Sequence, residues 1–167
     1  MTKHILFPIA LVALIIIVLG LVVKKYNPVI FNQPQTKTRV NETNSPKVEI
    51  GDTEIEVEIA DTEEERANGL SGRDSMDENK GMLFVFPKGS NATFWMKDMK
   101  FDIDIIWIRN SKVVKIDKNV KAPTPGTPDN KLTLYPSGQP IDYVLEVNAG
   151  FADKKGVKVG DTIILSI

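Results

Sequence analysis

Nineteen consecutive residues from Ile5 to Val23 carry no charge, and Leu14-Ile15-Ile16-Ile17-Val18-Leu19 lies within them. About 20 apolar residues span a bilayer core, so this run is predicted to cross a membrane as a helix. A secretory signal peptide has a shorter apolar region, about 7–15 residues, and ends at small residues. Here the run ends Leu21-Val22-Val23-Lys24-Lys25, and residues 1–25 read as an uncleaved anchor. Lys3 on one side and Lys24 with Lys25 on the other nearly balance the positive-inside count. A short N-terminus before a single span reads as a signal anchor that sends the C-terminal part across. The expected product is a single-pass membrane protein with an extracytoplasmic domain.

Residues 26–46, with Pro28, Pro34 and Pro46 among Asn, Thr and Gln, have little apolar periodicity and read as a flexible linker. Residues 47–167 are left as one domain of ordinary size. They hold 16 Lys and Arg against 21 Asp and Glu, a net of −5, which argues against nucleic acid as a partner. The chain has no Cys, and His4 is its only histidine. Disulfides, thiolate metal sites, cysteine nucleophiles and a Ser-His-Asp triad are thereby excluded from the domain. No cofactor and no metal are expected, and any chemistry rests on carboxylates, Lys, Arg, Tyr or hydroxyls.

Ile55, Val57 and Ile59 alternate with Glu54, Glu56 and Glu58, the period-two pattern of a strand with one wet face, predicted over Thr53–Ala60 as an outer strand. Thr62 and Glu65 are spaced as a capping box and Gly69 as a stop, which predicts a two-turn helix between them. Further strands are predicted over Met82–Phe86, Thr93–Met96, Ile103–Ile108, Val113–Ile116, Leu132–Leu134, Tyr143–Val147 and Thr162–Ile167, with turn residues between them. Many short strands with one or two short helices argue a mainly β sandwich or barrel.

Three segments carry candidate chemistry. Gly69-Leu70-Ser71-Gly72-Arg73 is a loop with a hydroxyl and a cation, where Arg66 and Arg73 either meet an anion or satisfy nearby carboxylates. Phe94-Trp95-Met96-Lys97-Asp98 sets a large ring beside polar groups, as an amphipathic ligand or a sugar requires. Strand parity puts Asp104 on a face shared with Ile106 and Ile108, where a carboxylate is costly unless Arg66, Arg73 or Lys97 pairs with it or it stays protonated for acid–base work. Glu146 poses the same question in Tyr143-Val144-Leu145-Glu146-Val147.

Taken in order, Arg66-x-x-Gly69-Leu70-x-Gly72-Arg73, Gly81-Met82-Leu83-Phe84-Val85-Phe86, Phe94-Trp95-Met96-Lys97-Asp98, Asp104-Ile105, Tyr143-Val144-Leu145-Glu146-Val147-x-Ala149-Gly150 and Gly160-Asp161 resemble the domain of unknown function 192 (DUF192) family. The resemblance spans roughly residues 53–167. It implies a compact, mostly β, jelly-roll-like domain, often exported or membrane-associated, and no particular reaction. Asp98 stands where the family usually has Asn, and Asp102 where it usually has Pro.

The leading expectation is a non-enzymatic binding module in which Arg66, Gly72, Arg73, Trp95, Lys97, Asp98, Asp104 and Glu146 converge to hold a small ligand, a glycan or an envelope protein. Two alternatives stand beside it: a hydrolase using Asp104 and Glu146, and a structural domain in which the same residues form a buried ion network.

Overall fold

The computed structural model describes residues 45–167, which fall in the second of two compact units, Asn44–Ile167. The predicted anchor and all but the end of the predicted linker lie outside the described residues. Among the described residues, no helix is long and apolar enough to cross a membrane.

The chain runs β1 (Lys47–Ile50), β2 (Thr53–Ala60), α1 (Glu63–Asn68), β3 (Lys80–Ser90), β4 (Thr93–Trp95), β5 (Ile103–Arg109), β6 (Lys112–Val120), a 3-10 turn (Asp129–Lys131), β7 (Leu134–Pro136), β8 (Ile141–Asn148), α2 (Phe151–Lys155) and β9 (Ile163–Ser166). Seven strands form one sheet in the order β6-β5-β8-β3-β2-β1-β9, and β4 with β7 forms a separate two-stranded ribbon. Among the described residues only β2 and β3 pair in parallel, with α1 in the connection between them.

The sheet curls until its two outermost strands meet. Lys112 bridges Thr162, the Val113 N–H donates to the Asp161 carbonyl at 2.9 Å, and the Ile163 N–H donates to the Ser111 carbonyl at 2.9 Å. This satisfies backbone groups that an open sheet would leave exposed on its edges. The mainly β expectation is met in a curled, half-barrel form. Among the described residues the strands do not divide into the two facing sheets of a jelly roll, since seven belong to one sheet and two to a short ribbon.

Strand alternation splits the apolar residues into two layers. Val48, Ile55, Val57, Leu83, Ile106, Leu145 and Val147 belong to one core, which closes against Phe151 and Ala152 of α2. Met82, Phe84, Ile103, Ile105, Trp107 and Val144 face the other way and are covered by Leu70, Met96, Met99 and Phe94. This second, covered face positions the candidate site.

Most predicted elements are present, with informative shifts. The Thr62–Glu65 capping box forms in full, each residue satisfying the other's backbone N–H. The Thr53–Ala60 strand is not an outer one: β1 flanks it on one side and β3 on the other. Lys47–Ile50 joins it through the Gly51-Asp52 turn, with Gly51 at φ 57°, the left-handed region glycine tolerates. β6 extends four residues past its predicted end, because ladder pairing with β5 carries the polar Asp117-Lys118-Asn119 stretch through irregularities in register. Leu132 stays outside a strand: the 3-10 turn ends there, and β7 starts at Leu134.

Candidate functional site

Glu146 lies near the middle of the sheet, opposite Met82 of β3 and Ile105 of β5. Its neighbours Leu145 and Val147 enter the first core, so parity turns Glu146 onto the covered face. The cover is incomplete. A cavity of about 290 Å³ opens between the loop after α1, the β3 rings Phe84 and Phe86, and the β4 residues Phe94 and Trp95, with Glu146 among its lining residues. Phe94 organises the wall edge-on to Phe84, with centroids 4.9 Å apart, and to Trp107, at 5.4 Å. Trp95 follows it and is 54% exposed.

Glu146 is only 5% exposed. Among the described residues nothing donates a hydrogen bond to its carboxyl or pairs with it. Among the described residues no fully enclosed side-chain oxygen lacks a partner, so this carboxyl opens onto the cavity it lines. Burial alone pushes its pKa up to about 8, since taking a carboxylate out of water favours the neutral acid. At neutral pH the group is therefore protonated, able to donate one hydrogen bond and accept others.

The eight predicted site residues do not converge. Arg66 and Trp95 line the same cavity as Glu146. One guanidinium nitrogen of Arg66 donates to the carbonyls of Asp61 and Val85, at 2.5 and 3.0 Å, and the group lies 5.3 Å from the centroid of the Phe86 ring. Gly72, Lys97 and Asp98 line a second cavity of about 590 Å³ against the Pro123-Thr124-Pro125 loop. It is the larger of the two, but Lys97 there pairs with Asp129 at 2.5 Å and Lys100 with Asp74 at 2.8 Å. The Ser71 hydroxyl, at the first cavity, donates at 2.8 Å to the carbonyl of Lys97, at the second.

Arg73 belongs to neither. It makes a bidentate pair with Glu58 of β2 at 2.5 and 2.8 Å, which lowers the glutamate's pKa and raises the arginine's. Asp104 is on the opposite face of the sheet from Glu146. Among the described residues none of the candidate cations, Arg66, Arg73 or Lys97, satisfies it. Three backbone N–H groups do: Asn119 at 2.8 Å, Gly150 at 3.1 Å and Ala152 at 2.8 Å. Asp104 thus ties β6 to the start of α2. It cannot flank a bond jointly with Glu146, and Arg73 and Asp104 do not form a buried ion network.

Two features escaped the sequence. Asp142 is buried and accepts from the Gly89 and Asn110 N–H groups at 3.0 and 2.8 Å; the Asn110 bond contributes most to lowering its pKa. Phe84 and Phe86 line the candidate cavity, and their period-two spacing with Met82 was the available signal.

Residues 46–165 match the DUF192 family, described as Uncharacterized ACR. The chain belongs to this family. Among solved structures, a Sinorhizobium meliloti 1021 protein described as a "putative transcription regulator" is 26% identical, with a TM-score of 0.63 over 72% of this chain and 92% of that one. A protein of unknown function from Novosphingobium aromaticivorans DSM 12444 is 30% identical, with a TM-score of 0.62 over 71% of this chain and 83% of that one. No curated protein matches the chain.

Both departures from the DUF192 pattern have a local reading. Asp98 has φ 57°, a left-handed conformation that Asn and Asp tolerate better than other side chains, and its carbonyl accepts from the Gly72 N–H at 2.8 Å. Asn and Asp meet that backbone requirement alike. Asp102 accepts from the Ala122 N–H at 2.8 Å and pairs with Lys121 at 2.6 Å, interactions a proline could not make.

Proposed function

We propose that this DUF192 domain is a non-enzymatic binding module, held outside the cytoplasm by the N-terminal anchor, whose Glu146 cavity takes a small amphipathic ligand or the tip of a glycan. The observation that carries the reading is Glu146 itself. A buried carboxyl without a protein partner costs stability, so its place beside an open cavity calls for a ligand group to complete it. The volume of about 290 Å³ lies at the small end of ligand pockets, which suits one ring and its substituents. Phe84, Phe86 and Phe94 offer apolar area, and Trp95 at the exposed rim offers a stacking face.

Nitrogen-15 NMR of the full-length protein in detergent, titrated with monosaccharides and single-ring alcohols, amines and acids, tests the reading. The Trp95 indole and the Gly69 and Ser71 amides are expected to shift together, with weaker binding in Trp95→Ala. No shift at these sites across the panel would refute it. The anchor has its own test: protease added to the outside of intact spheroplasts is expected to degrade the domain, and full protection would contradict the orientation.

A further inference from the structure

The lining of the Glu146 cavity narrows what can occupy it. Four aromatic residues, Phe84, Phe86, Phe94 and Trp95, surround a space whose lining includes only two ionisable groups, Glu146 and Arg66. Met82 of β3 and Ile105 of β5 lie opposite Glu146 in the sheet, and the described lining of the cavity combines the rings, Leu70 and Met99 with four neutral polar residues, Asn68, Ser71, Asn91 and Thr93. Arg66 is engaged with two carbonyls and a ring, and no hydrogen bond or ion pair joins it to Glu146. The carboxyl therefore has no protein cation competing for it among the described residues.

Ligand classes separate on this chemistry. An anion would have to lie against the Glu146 carboxyl while Arg66 is engaged with two carbonyls, which is unfavourable. A neutral alcohol can hydrogen-bond the protonated acid but leaves the ring quadrupoles unused. An ammonium uses both, because aromatic faces attract cations and a carboxylate pairs with one strongly where water is excluded. We propose that the cavity is a site for a small organic amine, its ammonium on the Glu146 carboxyl and its apolar body against Phe84 and Phe94. The proposal rests on the binding reading above.

Proton balance makes it measurable. The amine enters as ammonium and Glu146 gives its proton to solvent, leaving a carboxylate–ammonium pair with no covalent change. While Glu146 is protonated in the empty cavity, each bound amine releases close to one proton. Affinity then rises about tenfold per pH unit between pH 5 and 7.

Calorimetric titration of the full-length protein with benzylamine and with benzyl alcohol, at pH 5, 6 and 7 and in two buffers of different ionisation enthalpy, reads each term. Benzylamine is expected to bind with that slope and with proton uptake by the buffer, and benzyl alcohol at least about tenfold more weakly at pH 7 and without slope. Glu146→Gln is expected to lose the slope and at least about tenfold in amine affinity while keeping the alcohol. Trp95→Ala, at an exposed position, is expected to weaken both ligands. Benzyl alcohol binding as well as benzylamine, or a slope surviving in Glu146→Gln, would overturn the amine inference and leave the binding reading standing. If neither compound bound, the amine inference would fail, while the binding reading would fail only if the wider NMR panel were silent as well.

Discussion

Buried carboxylates in this domain divide according to what meets them. Asp104 and Asp142 are paid in backbone N–H groups, whereas Glu146 meets none among the described residues. Removing the Asp104 carboxyl strands three donors, so Asp104→Ala is expected to lower stability by roughly 3–5 kcal/mol in urea unfolding. Arg73→Ala removes only a half-exposed pair with Glu58 and is expected to lose less than about 1 kcal/mol. Equal losses would contradict the roles assigned to both residues. Strand parity exposed Asp104 and Glu146 as anomalies in the sequence alone. It could not name their partners, because the N–H groups that satisfy Asp104 come from residues 15 to 48 positions away, placed there by the tertiary fold.

The site depends on how closely β3 approaches β8. A Cβ on Gly81 would lie 2.8 Å from the Glu146 carbonyl and 3.1 Å from Leu145 Cδ1, so only glycine admits this spacing beside Glu146. Gly81→Ala is expected to cost about 1–3 kcal/mol and to speed amide hydrogen exchange in β3 and β8 first. Exchange unchanged in these strands would show that the contact is not tight. The alternating residues of β2 and the capping box of α1 were legible because both signals are local. The β4–β7 ribbon was half legible: Thr93–Met96 reads as a strand, but its partner starts two residues later than the apolar pattern suggests, after the 3-10 turn. α2 has only five residues and begins after Gly150, too short for a helical period to register.

At the scale of the molecule, curling brings β6 to β9 and leaves one sheet face inside and the other under the ribbon, a closure no local pattern announces. Glu146 lies on the second face and links its own titration to global stability. Its folded pKa of about 8 exceeds the ordinary glutamate value of 4.5, so between these pH values the folded chain holds a proton that the unfolded chain has lost. Its contribution to stability therefore falls as pH rises from about 4.5 to about 8 and stays low above that. Subtracting the profile of Glu146→Gln, which has no such titration, is expected to isolate a decline of roughly 3–5 kcal/mol across that window. A difference flat in pH would place Glu146 in water. The most direct test follows the carbon-13 shift of the Glu146 side-chain carboxyl against pH in the unliganded protein. A midpoint near 8 is expected, and one near 4.5 would contradict a buried, unpartnered acid beside the cavity.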